Sequence, residues 1–325
     1  MDAVLVVDKP VGPTSFDVVR KVRRAAGLRR VGHGGTLDPA ASGVLPICLG
    51  EATKLAQFLL DADKEYDFTV CFGVETDTDD ATGAVTARAD AGAVDEAAVR
   101  AALAPFRGPI TQVPPSYSAL KRAGRSLYDY ARAGEVVVAP PRAVTVRELE
   151  LASFTGPAAA AFRMRCSKGT YVRALARDLG RALGVGGHVT ALRRTRSGPF
   201  ALAQARPLDE VLSALAAPDR GAAPLPLVEL ADALRHLERR MVSDDAARDV
   251  RMGRRIQLGT LEGVPSPPAM SSGGQSPPTL DATALEPGEE KGDRRVCLLD
   301  GRGRLVAVVR VQDATVVEIL RVFRP

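Results

Sequence analysis

The alternation of hydrophobic and polar positions along the chain predicts several β-strands. A continuous apolar run at residues 4–7 is typical of a buried strand. Every second residue of 64–73 is apolar, and residues 161–167 follow the same period-2 pattern, so both predict strands with one buried face. Near the C-terminus, apolar runs at 296–299 and 304–311 flank a turn with two glycines, which predicts a β-hairpin.

A spacing of three to four residues between apolar positions predicts helices in other parts of the chain. Thr14 or Ser15 can cap a helix over 16–26, whose valines face inward and whose basic residues face outward. A second helix follows Tyr171, and its buried positions fit the i, i+3, i+4, i+7, i+11 pattern: Val172, Leu175, Ala176, Leu179 and Leu183. Further helices are predicted at 51–60, 95–104 and 234–250.

Composition and charge narrow the class of protein. The chain has 325 residues, of which 46% are hydrophobic, so it can bury a substantial core and is globular. Segment 264–293 is rich in Pro, Gly and Ser without periodicity, which predicts a disordered insertion or linker. The net charge is +5, and basic residues cluster at 20–30 and 193–196. Such clusters are typical of phosphate binding, although a solvated helix face would explain either one alone.

Other classes of site are disfavoured by the sequence. The four cysteines lie far apart without a C-x-x-C pair, and the three histidines lack ligand-like spacing, so we expect neither a disulfide framework nor a metal site. The N-terminus carries charge too early for a signal peptide. No run approaches about 18 apolar residues, so we expect a cytoplasmic protein without a membrane segment.

The run GHGGTLDPAASGVL at residues 32–45 sets one carboxylate, Asp38, among four glycines and a proline. Glycines let the backbone take positive φ and let another molecule approach closely. Pro39 biases Asp38 toward an extended conformation. These features predict a carboxylate presented at a bend. A tight polar turn between two core elements would use the same residues, so the local pattern leaves both interpretations open.

Read as a whole, this run resembles the catalytic loop of the TruB family of tRNA pseudouridine-55 synthases, in which the aspartate is the catalytic residue. Gly34 stands where that family often has threonine. Three further runs resemble signatures of the same family: DKPVGPTS from Asp8, KEY from Lys64 and CSKGTYVR from Cys166. The resemblance covers residues 2–200 strongly and the remainder loosely.

The resemblance implies roles for the charged residues of the site. Asp38 would be the essential carboxylate, and Arg173 would pair with it bidentately and favour its ionised form. The acidic run at 75–80 also fits a signature of the family, and we expect a structural turn there. In that turn, Asp80 would pair with an arginine of the site.

The remaining expected contacts with the substrate are mostly aromatic or apolar. By resemblance, Tyr66 lines the pocket and stacks on the target uracil, because a flipped base needs a flat partner. Tyr171 packs beside the base, and Leu192 forms part of the pocket wall. His33 would fill the gap left by the flipped nucleotide, and Lys9 would shape the active-site region.

The resemblance also implies the architecture. We expect an α+β fold whose mixed, mainly antiparallel central sheet is flanked by helices, as in pseudouridine synthases, over residues 1–240. Within it, segment 112–146 interleaves tyrosines with basic residues and would grip RNA, or else would be an amphipathic hairpin that serves stability. Residues 241–325 would form a small β-rich, PUA-like RNA-binding module, interrupted at 264–293.

The function implied by the resemblance is isomerisation of a uridine to pseudouridine in the T-arm stem-loop of tRNA, by a monomer without cofactor or metal. A non-catalytic RNA-binding protein is one alternative, but it would not need Asp38, Tyr66 and Arg173 together. A phosphate-cradle enzyme is disfavoured, since neither G-x-x-x-x-G-K-[ST] nor G-x-G-x-x-G is present. The early start at Val4 and the lack of basic tails disfavour the guide-RNA-directed branch of the family.

Overall fold

The computed structural model of the chain describes residues 1–118, 120–122, 124–133, 135, 137, 139–217, 225–254, 262–263, 294–313 and 316–324. The insertion predicted at 264–293 lies outside these ranges. Contacts divide the chain into two compact units, Ala3–Leu227 with Met1 and Val228–Pro325 with Asp2. The sequence placed this division near residue 240.

The larger unit contains most of the regular structure. Its strands, with the last one at the boundary, are β1 (Ala3–Lys9), β2 (Val31–His33), β3 (Ala41–Leu49), β4 (Lys64–Phe72), β5 (Val74–Thr76), β6 (Val85–Arg88), β7 (Gly108–Gln112), β8 (Lys121–Arg122), β9 (Arg125–Ser126), β10 (Arg142–Gly156), β11 (Ala159–Cys166), β12 (Gly187–Ser197), β13 (Phe200–Ala201), β14 (Arg206–Pro207) and β15 (Leu227–Val228). Its helices are α1 (Ser15–Ala25), α2 (Ala56–Asp61), α3 (Glu96–Ala102), α4 (Leu127–Arg132), α5 (Val172–Ala182) and α6 (Leu208–Ala216). Short 3₁₀ turns cover Gly50–Leu55, Ala104–Phe106 and Leu202–Gln204.

The central sheet has the strand order β14-β1-β3-β12-β4-β11-β10-β7. Along this order, β1 pairs with β14 and β3 with β12 in parallel, and the other neighbours are antiparallel. The expected mixed, mainly antiparallel sheet in an α+β fold is therefore confirmed. The parallel pair sets Leu192 opposite Ala41 and Arg194 opposite Gly43, which brings the end of the Asp38 loop beside β12.

Two hydrophobic clusters pack against this sheet. In one, α3 and α5 lie on residues from β4, β10, β11 and β12. In the other, α1 and α6 cover β1 and β3. Tyr66 and Leu192 contact both clusters, so these two side chains lie at the seam where the clusters meet. Because both clusters are tightly packed, they fix the backbone at Tyr66 and Leu192.

Local sequence explains α1 well. Thr14 caps it and forms a reciprocal capping box with Asp17, while Val18, Val19 and Val22 are buried, as predicted.

The single helix predicted over 51–60 was wrong in detail, because a 3₁₀ turn precedes α2. Leu49 and Leu55, which precede the two segments, make no side-chain cap, so no local signal starts a longer helix.

The smaller unit has its own sheet. Its elements are α7 (Leu230–Ala233), β16 (Glu238–Met241), α8 (Asp244–Arg251), β17 (Glu262–Gly263), β18 (Arg294–Leu299), β19 (Leu305–Asp313) and β20 (Val316–Val322). The strand order is β17-β16-β18-β19-β20, and the β18–β19 hairpin is the one that the sequence predicted. A cluster of apolar residues from α8, β18 and β19 forms its core.

The continuous helix predicted at 234–250 was wrong. Parallel pairing with β18 draws residues of this segment into β16, which overrides their helical preference. Ser243 then caps α8 as a new helix. Within the ranges given above, no helix is long and apolar enough to cross a membrane.

Candidate active site

Asp38 lies in the loop between β2 and β3, and several hydrogen bonds hold this loop in place. The Gly34 N–H donates to Pro46 O (2.8 Å), and the Gly12 N–H donates to Pro39 O (2.8 Å). The Ser15 hydroxyl both donates to Leu37 O and accepts from Leu37 N–H. The Asp38 side chain is 39% exposed, so its carboxylate faces open space from a fixed backbone.

Arg173, in the first turn of α5, is the cation nearest to this carboxylate. Its Nη2 lies 2.8 Å from Asp38 Oδ2, and its Nη1 lies 3.5 Å from a carboxylate oxygen of Asp80. The same nitrogens donate to Thr78 O and Tyr117 O. The expected bidentate pair is thus replaced by a bridge between two carboxylates, because Asp80 occupies the other side of the guanidinium. The predicted pairing of Asp80 with a site arginine is present.

Asp80 is itself held by the acidic turn. Its Oδ1 accepts from the Thr78 hydroxyl and from the N–H and hydroxyl of Thr82. The preceding residue, Asp79, has a positive φ of 56°, which is uncommon outside glycine. Arg177 Nη1 donates to Asp79 at 2.8 Å. These contacts fix the carboxylate that orients Arg173.

A cavity of about 290 Å³ opens beside Asp38 and Arg173. Five of the seven residues predicted for the site line it: Asp38, Tyr66, Tyr171, Arg173 and Leu192. Burial raises the pKa of both tyrosine hydroxyls, so both rings carry a neutral phenol at neutral pH. The cavity therefore combines one carboxylate with two flat, uncharged rings.

The other two predicted residues lie outside this cavity. His33 and Asp38 share a larger, open cleft of about 1370 Å³. The His33 Nδ1 accepts from Gly35 N–H, and burial lowers the pKa of its ring, which favours the neutral imidazole. Lys9 is fully buried and donates to Pro10 O and Pro13 O, each at 2.9 Å. Burial lowers the pKa of Lys9 to about 8.

Sequence reasoning misassigned Arg194, which it grouped with the residues that could reach phosphate. The side chain is 1% exposed and donates to the carbonyl oxygens of Gly35, Thr36 and Val44. It therefore supports the Asp38 loop from below. The signal that could have revealed this is the period-2 alternation of β12, which puts Arg194 on the same face as Leu192.

Gly43 shows how close this packing is. Its φ is +104°, and a Cβ there would overlap the backbone carbonyl oxygen of Arg194. Only glycine fits between the end of the loop and β12.

Lys64 was also missed as a site residue, although it lines the cavity with Arg194.

The described part of segment 112–146 folds on itself in this structure. The Arg125 guanidinium lies 4.4 Å from the centre of the Tyr130 ring and pairs with Glu135 at 2.8 Å. Aromatic and basic groups are therefore adjacent, which is the combination expected of an RNA-contacting arm. Among the residues with described positions, no group of three His, Cys, Asp or Glu side chains could hold a metal ion.

Comparison with known proteins gives two family matches that cover consecutive parts of the chain. Residues 23–172 match the N-terminal domain of the TruB family pseudouridylate synthases, and residues 173–241 match the tRNA pseudouridylate synthase B C-terminal domain. The tRNA pseudouridine synthase B of Burkholderia pseudomallei (strain 668) is 49% identical over 271 residues, which cover 79% of this chain and 89% of that protein. The protein of the same name from Bordetella pertussis is 50% identical over 232 residues, which cover 71% and 93% of the two chains.

Solved structures agree with the fold. A chain from a Cbf5-Nop10-Gar1 complex superposes with a TM-score of 0.74 at 27% identity, covering 99% of this chain and 85% of that one. A chain from the archaeal box H/ACA sRNP Nop10-Cbf5 complex gives a TM-score of 0.72 at 26% identity, covering 99% and 86%. With half of its aligned residues identical to curated relatives over most of its length, the chain belongs to the TruB family of pseudouridylate synthases, which are isomerases.

Proposed function

We propose that this enzyme isomerises the uridine at position 55, in the T-loop of tRNA, to pseudouridine, with Asp38 as the essential carboxylate. The observation that carries the proposal is the contact between Asp38 and Arg173 beside a cavity walled by Tyr66, Tyr171 and Leu192. The curated relatives named tRNA pseudouridine synthase B support tRNA as the substrate.

The geometry supports a flipped base as the ligand of the cavity. A volume of about 290 Å³ lies near the lower end of small-molecule sites, roughly 300 Å³. The rings of Tyr66 and Tyr171 offer flat surfaces on which a base can stack, and an enzyme that rearranges a base must take it out of the RNA stack. His33 lies in the wider cleft that Asp38 also lines, and it would occupy the space that the flipped nucleotide leaves.

The chemistry requires an ionised Asp38 close to the sugar. Arg173 forms an ion pair with Asp38 that favours the anion, and Asp80 orients the guanidinium. Three roles remain open for Asp38: nucleophile at the sugar, nucleophile at the base, or base that removes a ribose proton. In each role, the N-glycosidic bond breaks, the uracil turns over and a C–C glycosidic bond forms. Lys9 would shape the loop rather than react, since both of its contacts are to backbone carbonyls.

The rest of the chain would hold the RNA. We infer that segment 112–146 grips the T-arm and that the exposed basic residues of 20–30 contact phosphates. Residues 241–325 would add a PUA-like RNA-binding module to a catalytic domain over 1–240. We expect the enzyme to act as a monomer in the cytoplasm, where tRNA is its partner.

A T-arm stem-loop carrying tritium at C5 of uridine 55 tests the proposal, because forming the C–C bond at C5 releases that proton. The wild-type protein should release tritium without any guide RNA, and Asp38→Asn should release none while it still binds the stem-loop. Release by Asp38→Asn would remove Asp38 from its role. Binding without release by the wild type would favour a non-catalytic RNA-binding protein, and release only with a guide RNA would favour a guided enzyme.

A further inference from the structure

Three buried cations near the Asp38 cavity have no role in the mechanism above that depends on their charge. They are Lys9, Lys64 and Arg194, with exposed fractions of 0%, 7% and 1%. Lys64 and Arg194 line the cavity directly. Across the described ranges, none of the three forms a salt bridge, whereas Arg173 pairs with two carboxylates.

Backbone carbonyls take the place of carboxylates around these cations. The Lys64 Nζ donates to the carbonyl oxygens of Leu59, Leu60 and Ala62 at the end of α2. Lys9 donates to two backbone carbonyls, and Arg194 donates to three and also acts on the neutral Tyr66 hydroxyl. Carbonyls are dipoles, so they satisfy the N–H groups and leave each cation with its full unit charge.

The two carboxylates whose charge acts on Lys64, Asp61 and Asp63, each pair with another cation. Asp61 binds Lys168 at 2.7 Å, and Asp63 binds Arg147 at 2.6 Å. Burying charge without a neutralising partner is costly. Burial lowers the pKa of Lys64, like that of Lys9, to about 8, because removing each ammonium group from water disfavours its charged form. Three cations, Lys64, Arg173 and Arg194, therefore line the cavity against one anion, Asp38.

We propose that Lys64 and Arg194 form a cationic floor of the cavity that stabilises the uracil anion released when the N-glycosidic bond breaks, and that buried Lys9 adds to this charge from outside the cavity. This inference rests on the proposed function. The N1–C1′ bond breaks with its electron pair on N1, so the free uracil carries one negative charge, spread over its ring nitrogens and oxygens. C5 then bonds to C1′, the C5 proton leaves and N1 gains a proton, so the product is an isomer of the substrate.

The donor count separates this role from phosphate binding. An ammonium group has three N–H donors, and all three of Lys64 are used by carbonyls. A phosphate bound by Lys64 would need at least one free donor. The field of a fixed charge, however, acts across a few ångströms of a water-poor site without any direct hydrogen bond. The arrangement suits a charge that develops during the reaction.

Lys64→Met tests the proposal in single-turnover reactions with the T-arm stem-loop. We expect glycosidic bond cleavage to slow by about 100-fold, because the variant removes a fixed charge that stabilises the developing anion in a water-poor site. The Kd for RNA should stay within about threefold, because the ground-state substrate carries no charge at the base. Lys64→Arg should restore most of the rate, and Lys54→Met, a lysine paired with Glu51 outside the cavity, should leave it unchanged.

A substrate with a better leaving group, 5-fluorouridine, then distinguishes an electrostatic role of Lys64 from a structural one. Fluorine at C5 withdraws electrons and stabilises the uracil anion, so cleavage of 5-fluorouridine depends less on the floor. The loss caused by Lys64→Met should shrink to about tenfold or less on a stem-loop with 5-fluorouridine at position 55. Lys9→Met provides a second variant with the same expected dependence, should Lys64→Met fail to fold by circular dichroism.

Each other outcome would overturn the proposal. Equal losses on uridine and 5-fluorouridine would assign Lys64 a purely structural role. A weaker Kd with a reduced salt dependence, at an unchanged rate, would assign it to a phosphate. An inactive wild-type protein would instead refute the proposed function, which separates that failure from failure of the floor.

Discussion

Two buried arginines border the Asp38 loop, and their partners differ in kind. Arg173 on α5 meets the carboxylates of Asp38 and Asp80. Arg194 on β12 donates to carbonyls of the loop and of β3, and it also acts on the Tyr66 hydroxyl, but it pairs with no carboxylate among the described residues. An arginine held by carboxylates is largely neutralised by them, whereas one held by carbonyls fixes the path of the chain and keeps its charge. The residue type alone does not distinguish these roles.

We expect the largest effect on stability from Arg194→Met. The change removes a donor from the carbonyl oxygens of Gly35, Thr36 and Val44. The hydrogen bonds to Gly35 and Val44 are buried, and the loss of each buried one costs about 1–3 kcal/mol. The free energy of unfolding should therefore fall by about 4 kcal/mol or more, measured by urea denaturation.

Arg193→Met is the matched control for that experiment. This neighbour is 40% exposed and pairs with Asp8 at 2.7 Å, so its loss should cost less than about 1 kcal/mol. Similar losses in the two variants would contradict the view that Arg194 acts as an internal support. A stable Arg194→Met protein would contradict it as well.

Much of the fold could be read from local patterns. Period-2 alternation located β4 and β11, and the apolar spacing after Tyr171 located α5, because one face of each is buried in a core. The prediction of one helix over 234–250 failed for a physical reason. Part of this segment pairs with β18, which lies more than 50 residues further along the chain, so no local pattern could reveal the pairing.

The site was predicted in part. Asp38 and Arg173 were paired by resemblance, and their contact is present at 2.8 Å. The bidentate geometry was not found, since Asp80 reaches the same guanidinium from a distant segment. Arg194 was misassigned because a run of basic residues suggests a phosphate surface, while only the strand register tells which of them point inward.

The pH dependence of stability tests whether carbonyls offset a buried charge less well than carboxylates do. Burial lowers the pKa of Lys64 from 10.5 to about 8 in the folded chain, against the opposing influence of Asp61 and Asp63. Between these values, the unfolded chain holds a proton that the folded chain has released, so the free energy of unfolding rises with pH. Cys166 and Arg194 are the other charged or titratable groups near it.

The wild type should therefore gain about 2 kcal/mol relative to Lys64→Met between about pH 8 and pH 10 in urea denaturation. The catalytic rate should change in the opposite direction, because the same deprotonation removes charge from the floor of the cavity. If the free energies of unfolding of the two proteins changed with pH in parallel, burying the charged Lys64 side chain would cost no stability.

The smallest effect is expected at the far end of α5, where Arg181 pairs with Glu75 at 2.8 Å. The three arginines of this helix face become more exposed with distance from Asp38: 6% for Arg173, 12% for Arg177 and 57% for Arg181. Solvent screens the outermost pair, so Arg181→Gln should cost less than about 1 kcal/mol in urea denaturation and leave tritium release unchanged. Arg177→Gln should cost more, since it leaves the buried carboxylate of Asp79 without its cation. Equal costs at the two positions would mean that exposure does not set the strength of these ion pairs. The buried pairs of Arg173 could then not be expected to be stronger than an exposed pair.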